Sequence, residues 1–91
     1  MELEQLRIFT AVAQTGSFTK GAKLLYISHS TTSRAVAALE EELGVRLFER
    51  DNHISSLTPA GKMLLEEAKN IIASVDALGE KLSSAGADAE R

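Results

Sequence analysis

His29, Ser30, Ser33 and Arg34 fall on one face of a short polar stretch, with Ala37 one turn further on. These residue types suit the reading of nucleic-acid base edges. An arginine guanidinium can give two parallel hydrogen bonds to guanine O6 and N7. A histidine donates to a base acceptor or accepts from a base amino group according to its tautomer. Serine hydroxyls do either, toward bases or phosphates, and an alanine permits close approach. Thr31 adds a hydroxyl in the same turn. Arg34 is the sole basic side chain on that face and so the strongest candidate. Capping and simple solvation would also produce a polar first turn. Ser28 fits a capping role, and Thr31 and Ser33 remain open to a solvated one.

The face is fixed by what lies opposite. Thr32, Val36, Leu39 and Leu43 recur at three- and four-residue spacing, the inward side of a helix that Ser28 caps and Gly44 closes. Ahead of it, Ser17 is placed to cap a helix carrying Phe18, Ala22 and Leu25 on one side. Gly21 weakens that helix by about 0.5–1 kcal/mol relative to alanine. Tyr26 and Ile27 form a short turn between the two. A first helix over residues 3–14 carries Leu3, Leu6, Phe9, Val12 and Ala13 and ends at Thr15-Gly16. Residues 18–37 therefore read as a helix-turn-helix. In that motif the second helix enters the major groove and its N-terminal residues meet base edges.

Beyond Gly44, residues 45–48 and 54–57 read as two short strands, with Asp51-Asn52-His53 at the hairpin tip. Thr58-Pro59 is a strong helix start, a capping threonine before a proline at the first helical position. From there Leu64, Ala68, Ile71, Val75, Leu78 and Leu82 alternate four- and three-residue steps, a heptad stripe that Leu65 and Ile72 widen. A helix over residues 59–82 would be about 36 Å long. A headpiece of this size cannot cover such a stripe, and an uncovered one marks a partner surface, most simply a second copy of the same helix. The competing reading folds the helix back onto its own domain, which its first turns are close enough to do. Residues 83–91 are small and polar and read as a flexible linker or end.

The chain has 91 residues, 44% of them hydrophobic, enough for one small globular domain with an appendage. Aromatic residues are restricted to Phe9, Phe18, Tyr26 and Phe48, so a core of Leu, Ile, Val and Ala is expected. The absence of cysteine excludes disulfides and thiolate metal sites and fits a reducing cytoplasm. No signal peptide and no membrane-length apolar run is visible, so neither secretion nor a membrane partner is expected. The net charge of −3 argues against nucleic acid if taken whole. Its distribution argues the other way. Residues 5–39 contain no Asp or Glu and carry Arg7, Lys20, Lys23 and Arg34, while the acids gather later. Screening confines each charge to about 8 Å, so a positive surface can exist on an acidic protein.

The runs "LRIFTAVAQTGSFTKGAKLL" (6–25), "SRAVAALEEELGVRLFER" (33–50) and "LTPAG" (57–61), with their spacings, resemble the N-terminal domain of LysR-type transcriptional regulators. With the last helix matching that family's linker helix, the resemblance covers nearly the whole chain. It implies a mainly α fold: a winged helix-turn-helix of three helices plus a short two-stranded wing, over residues 1–58, followed by a long dimerisation helix over 59–82. It further implies a homodimer with antiparallel linker helices, bound to double-stranded DNA at an interrupted dyad. The positions matching the family's base and phosphate contacts are His29, Ser30, Ser33 and Arg34. Thr31, Ser17, Lys20, Arg50 and His53 complete the candidate DNA-binding set. The chain departs from the family where glutamine and proline are common, at His29 and Ser30, and at Thr32, where a larger aliphatic residue is common. It departs most in the wing, where residues 51–56 carry no arginine or lysine. A lower wing contribution to affinity is expected, as is a small-molecule effector domain beyond this chain, which would make the chain a fragment or a naturally short protein.

A different class of reading is a dimerisation or adaptor module that has lost DNA binding, motivated by the acidic balance and the uncharged wing. Catalysis has little to stand on: two histidines and carboxylates crowded on helix ends give no converging acid–base pair or metal spacing. No cofactor or metal is expected. Glu40-Glu41-Glu42 reads as a solvated run.

Overall fold

A computed structural model of the chain describes residues 1–51 and 54–89. Three helices, α1 (Leu3–Thr15), α2 (Phe18–Leu24) and α3 (His29–Leu43), precede a hairpin of β1 (Phe48–Asp51) and β2 (Ile54–Leu57), and a long helix, α4 (Pro59–Ala89), ends the order. The result is the winged helix-turn-helix with a protruding last helix that the sequence predicts. Its extents are 56 × 24 × 19 Å, so α4 gives the molecule its length.

Local chemistry sets the boundaries of the first three helices. Ser17 Oγ accepts from the Lys20 N–H at 3.1 Å and Ser28 Oγ from the Thr31 N–H at 3.0 Å, each satisfying an otherwise orphaned donor. Gly16 and Gly44 end α1 and α3 in the left-handed conformation. Gly21 has a packing reason to lack a side chain. A Cβ there would lie 2.9–3.0 Å from Val12 of α1, so the glycine lets the two helices approach closely.

The centre of the headpiece is aromatic as well as aliphatic, which corrects the expected core of Leu, Ile, Val and Ala. Phe9 and Phe48 are fully buried beside Val12, Val36, Leu39 and Leu47. Phe48 sits 5.4 Å from the Phe9 ring and 5.5 Å, edge-on, from Phe18. Three of the four aromatic side chains thus tie α1, α2 and the hairpin together. Thr32 is fully buried too, and its hydroxyl donates to the Ser28 carbonyl at 3.0 Å, which offsets the cost of a buried polar group.

Two boundaries differ from expectation. The first strand was expected over 45–48 but spans Phe48–Asp51, paired Phe48 to Leu57 and Asp51 to Ile54. The preceding segment is bonded elsewhere. The Val45 N–H goes to the Glu40 carbonyl, the Leu47 N–H to Glu40 Oε2 at 2.8 Å, and the Leu47 carbonyl accepts from the Thr58 N–H. Glu40 is therefore no member of a solvated run, since its side chain is 12% exposed and fastens α3 to the approach of β1. Glu42 also has a partner, the Met1 ammonium at 2.8 Å.

The second difference is α4, which runs to Ala89 instead of ending at Leu82. Its last turns, Ser83-Ser84-Ala85-Gly86-Ala87-Asp88-Ala89, lack proline, so no residue in them forces the helix to stop where the apolar pattern does. The start is as expected. Thr58 Oγ1 accepts from the Gly61 N–H at 3.0 Å while donating to the Arg46 carbonyl at 2.6 Å. Gly61 faces the Leu47 carbonyl so closely that any Cβ would collide with it. Gly61→Ala is expected to cost about 1–3 kcal/mol, as overpacking against backbone that cannot move aside. A lowered midpoint in urea unfolding, with the slope unchanged, checks this. Among the described residues no helix is long and apolar enough to cross a membrane.

Candidate nucleic-acid interface

α3 divides cleanly into two sides. Thr32, Val36 and Leu39 are buried, whereas His29, Ser30, Thr31, Arg34 and Ala37 are exposed and Ser33 is half-buried. The 3.6-residue repeat produces this split, and it presents the expected face to solvent. The first turn of α3 also supplies free N–H groups and a partial positive charge, both suited to phosphate.

The side chains on this face differ in how committed they are. Arg34 has no hydrogen bond or ion pair among the described residues, so its guanidinium is available. His29 Nδ1 lies 3.5 Å from Ser33 Oγ, a long contact one helical turn away, and its ring lies 6.3 Å from that of Phe18. Thr31 is more occupied: the Ser28 hydroxyl donates to its Oγ1 at 2.9 Å. Ser17 is likewise engaged as the cap of α2. Lys20 and Lys23 are exposed on α2. Arg50 pairs with Ser55 in the hairpin, but its side chain and the whole of His53 lie outside the described residues.

Arg7 leaves the positive set. Its Nη2 lies 2.7 Å from Asp76 Oδ1, and that hydrogen bond raises the arginine's pKa and holds the Asp76 carboxyl below the usual carboxylate range. The acid-free stretch 5–39 thus offers Lys20, Lys23 and Arg34 as its open cations. Sequence reasoning missed this pairing because the partners stand 69 residues apart.

The apolar stripe on α4 splits into two parts. Ala68 is fully buried and Leu64 is packed against the headpiece core, so Ala68 has no surface left for a partner. Ile71, Val75, Leu78 and Leu82 are 44, 40, 56 and 63% exposed. The first turns of the helix therefore fold back on the headpiece, and the rest of the stripe stands exposed.

Residues 3–62 match the family model described as bacterial regulatory helix-turn-helix protein, lysR family. The chain belongs to the LysR family. Among its relatives is the HTH-type transcriptional activator AllS of Salmonella typhi, 43% identical over 88 residues that cover 97% of this chain and 29% of AllS. Another is a probable RuBisCO transcriptional regulator of Trieres chinensis, 44% identical over 71 residues, covering 78% of this chain and 23% of that protein. The chain thus spans about a quarter of the length of these LysR-family relatives. A solved structure of a CbnR_DBD–DNA complex is similar throughout, with a TM-score of 0.87 at 38% identity, covering 94% of this chain and 99% of that one. The four helices and two-stranded wing are therefore those of a LysR-type DNA-binding domain.

Proposed function

We propose that this chain binds double-stranded DNA sequence-specifically, as the DNA-binding part of a LysR-type transcription regulator acting in the cytoplasm. The observation that carries the proposal is the exposed, uncommitted Arg34 on the same face of α3 as His29, Ser30 and Ser33. The DNA-bound state of the similar CbnR domain supports it.

In this reading α3 enters the major groove with its N-terminal half leading. Arg34 reads a guanine through O6 and N7, and His29 and Ser33, close enough to influence one another, read the neighbouring base. Ser30 lies beside them. Lys20, the first turn of α3 and the backbone around Ser17 hold phosphates and fix the register. Thr31 acts mainly through the cap, since its hydroxyl is engaged by Ser28. Arg50 and His53 remain candidates for the wing's contact with the flanking backbone. Two copies join through Ile71, Val75, Leu78 and Leu82 of α4 and so present two recognition helices to two half-sites. The chain's work is binding rather than catalysis, and small-molecule sensing belongs to a part of the whole protein beyond this domain.

Gel-shift titration against promoter duplexes, with random duplex as competitor and salt varied, tests the proposal. Affinity should fall steeply with salt, as displaced counterions are released, while the preference over random duplex persists. Equal affinity for both duplexes would overturn it. Arg34→Ala should weaken binding by about 1–3 kcal/mol and flatten the preference at one base position per half-site. Binding to duplexes substituted at each position checks this.

A further inference from the structure

The pair Arg7–Asp76 lies at a particular place in the molecule. α4 rests on the headpiece through Leu64, Leu65 and Ala68, and Ile72 is its last half-buried residue. From 73 to 86 every residue is exposed. Asp76 stands one turn beyond Ile72 on the same side of the helix. Its 2.7 Å hydrogen bond from Arg7 of α1 is, among the described residues, the outermost tie between α4 and the headpiece. Asp76 is also set apart from the free stripe: at about 100° per residue it lies roughly a quarter turn or more around the helix from Val75, Leu78 and Leu82. A change at Asp76 therefore leaves the stripe's own composition intact.

We propose that Arg7 and Asp76 are a positioning pair that fixes the angle at which α4 leaves the headpiece, and thereby the gap between half-sites that the dimer accepts. This rests on the reading of the chain as a dimeric DNA-binding domain. The lever is long enough to matter. From Asp76 to Ala89 the helix extends about 20 Å, so a tilt of about 10° at the pair moves the far end roughly 3.5 Å, close to one base-pair step. The stripe that would meet the partner lies along this lever, so a tilt is passed to the second headpiece. Base identity is read elsewhere, on α3. The pair accordingly governs spacing and not sequence.

The test uses half-sites recovered by the wild-type chain from a random duplex pool, rebuilt in duplexes whose central gap is shortened or lengthened by one and two base pairs. Single half-site duplexes serve as the control. Wild type should show a sharp optimum. Asp76→Asn should leave single half-site affinity and dimer mass unchanged. Its discrimination between the best gap and its neighbours should fall by about two- to fivefold, the scale of an exposed ion pair. The exchanged pair Arg7→Asp/Asp76→Arg should recover the optimum. An unaltered gap profile in Asp76→Asn, or an altered one that the exchange does not recover, overturns the inference while leaving DNA binding standing. Failure of the wild-type chain to bind any duplex overturns the DNA-binding reading and this inference with it.

Discussion

A Leu78→Glu variant should be monomeric and should bind paired half-sites about 10²–10⁴-fold more weakly than wild type, the gain that linking two binding modules typically confers. Leu78 is 56% exposed and lies within the free part of α4. The substitution places a carboxylate where the proposed dimer would exclude water, and twice, once from each copy. Burying such a charge without a partner is costly enough to dissociate a two-helix contact. In the separate chain the same carboxylate meets solvent, and glutamate is about as good a helix former as leucine. The headpiece should fold normally and bind an isolated half-site with wild-type affinity. Sedimentation and gel shift on paired and single half-sites separate these outcomes. A variant that stays dimeric would show that the stripe does not join the copies.

Phe48→Ala should cost about 3–5 kcal/mol, the range for removing a buried aromatic ring. Phe48 is fully buried and meets both Phe9 and Phe18 across ring distances of 5.4 and 5.5 Å. It is also the first residue of β1 and stands opposite Leu57, so its loss loosens the wing together with the core. Small domains have about 5–15 kcal/mol of stability in total, so this one substitution removes a large share. Thermal unfolding should shift downward by tens of degrees, at about 4–8 °C per kcal/mol for a domain of this size. Phe48→Leu retains most of the volume and should cost about 1.5 kcal/mol or less. A loss below about 1 kcal/mol in Phe48→Ala would mean that Phe48 does not organise the core.

How much of this was legible in the sequence depends on whether the determining chemistry is local. Ser17, Ser28 and Gly44 set their helix boundaries through bonds to residues a few places away, so those boundaries are visible in the sequence. The two faces of α3 followed from periodicity alone. The start of β1 was missed because Leu47 is held by Glu40 and Thr58, partners that only the fold brings near. Glu40 itself looked like one acid in a solvated run for the same reason. Periodicity placed the α4 stripe but carried no information on where the headpiece ends, so Ala68 and Leu78 looked equivalent when one is buried and the other free. The last turns of α4 have no apolar pattern to read and no proline to end them, so their helix leaves no mark in the periodicity. At the candidate interface the residue types on α3 were visible. What was not visible is their commitment: Thr31 to Ser28, and Arg7 to Asp76.

DNA recognition by α3 is tested most directly by selection of bound sites from a random duplex pool by the intact chain, repeated with Arg34→Ala. Two inverted half-sites separated by a fixed gap should be enriched. The variant should lose preference at one symmetric position while keeping the gap. A pool that emerges without a shared sequence, or one from which the variant recovers the same sequence at every position, would contradict the assignment of DNA recognition to this face of α3.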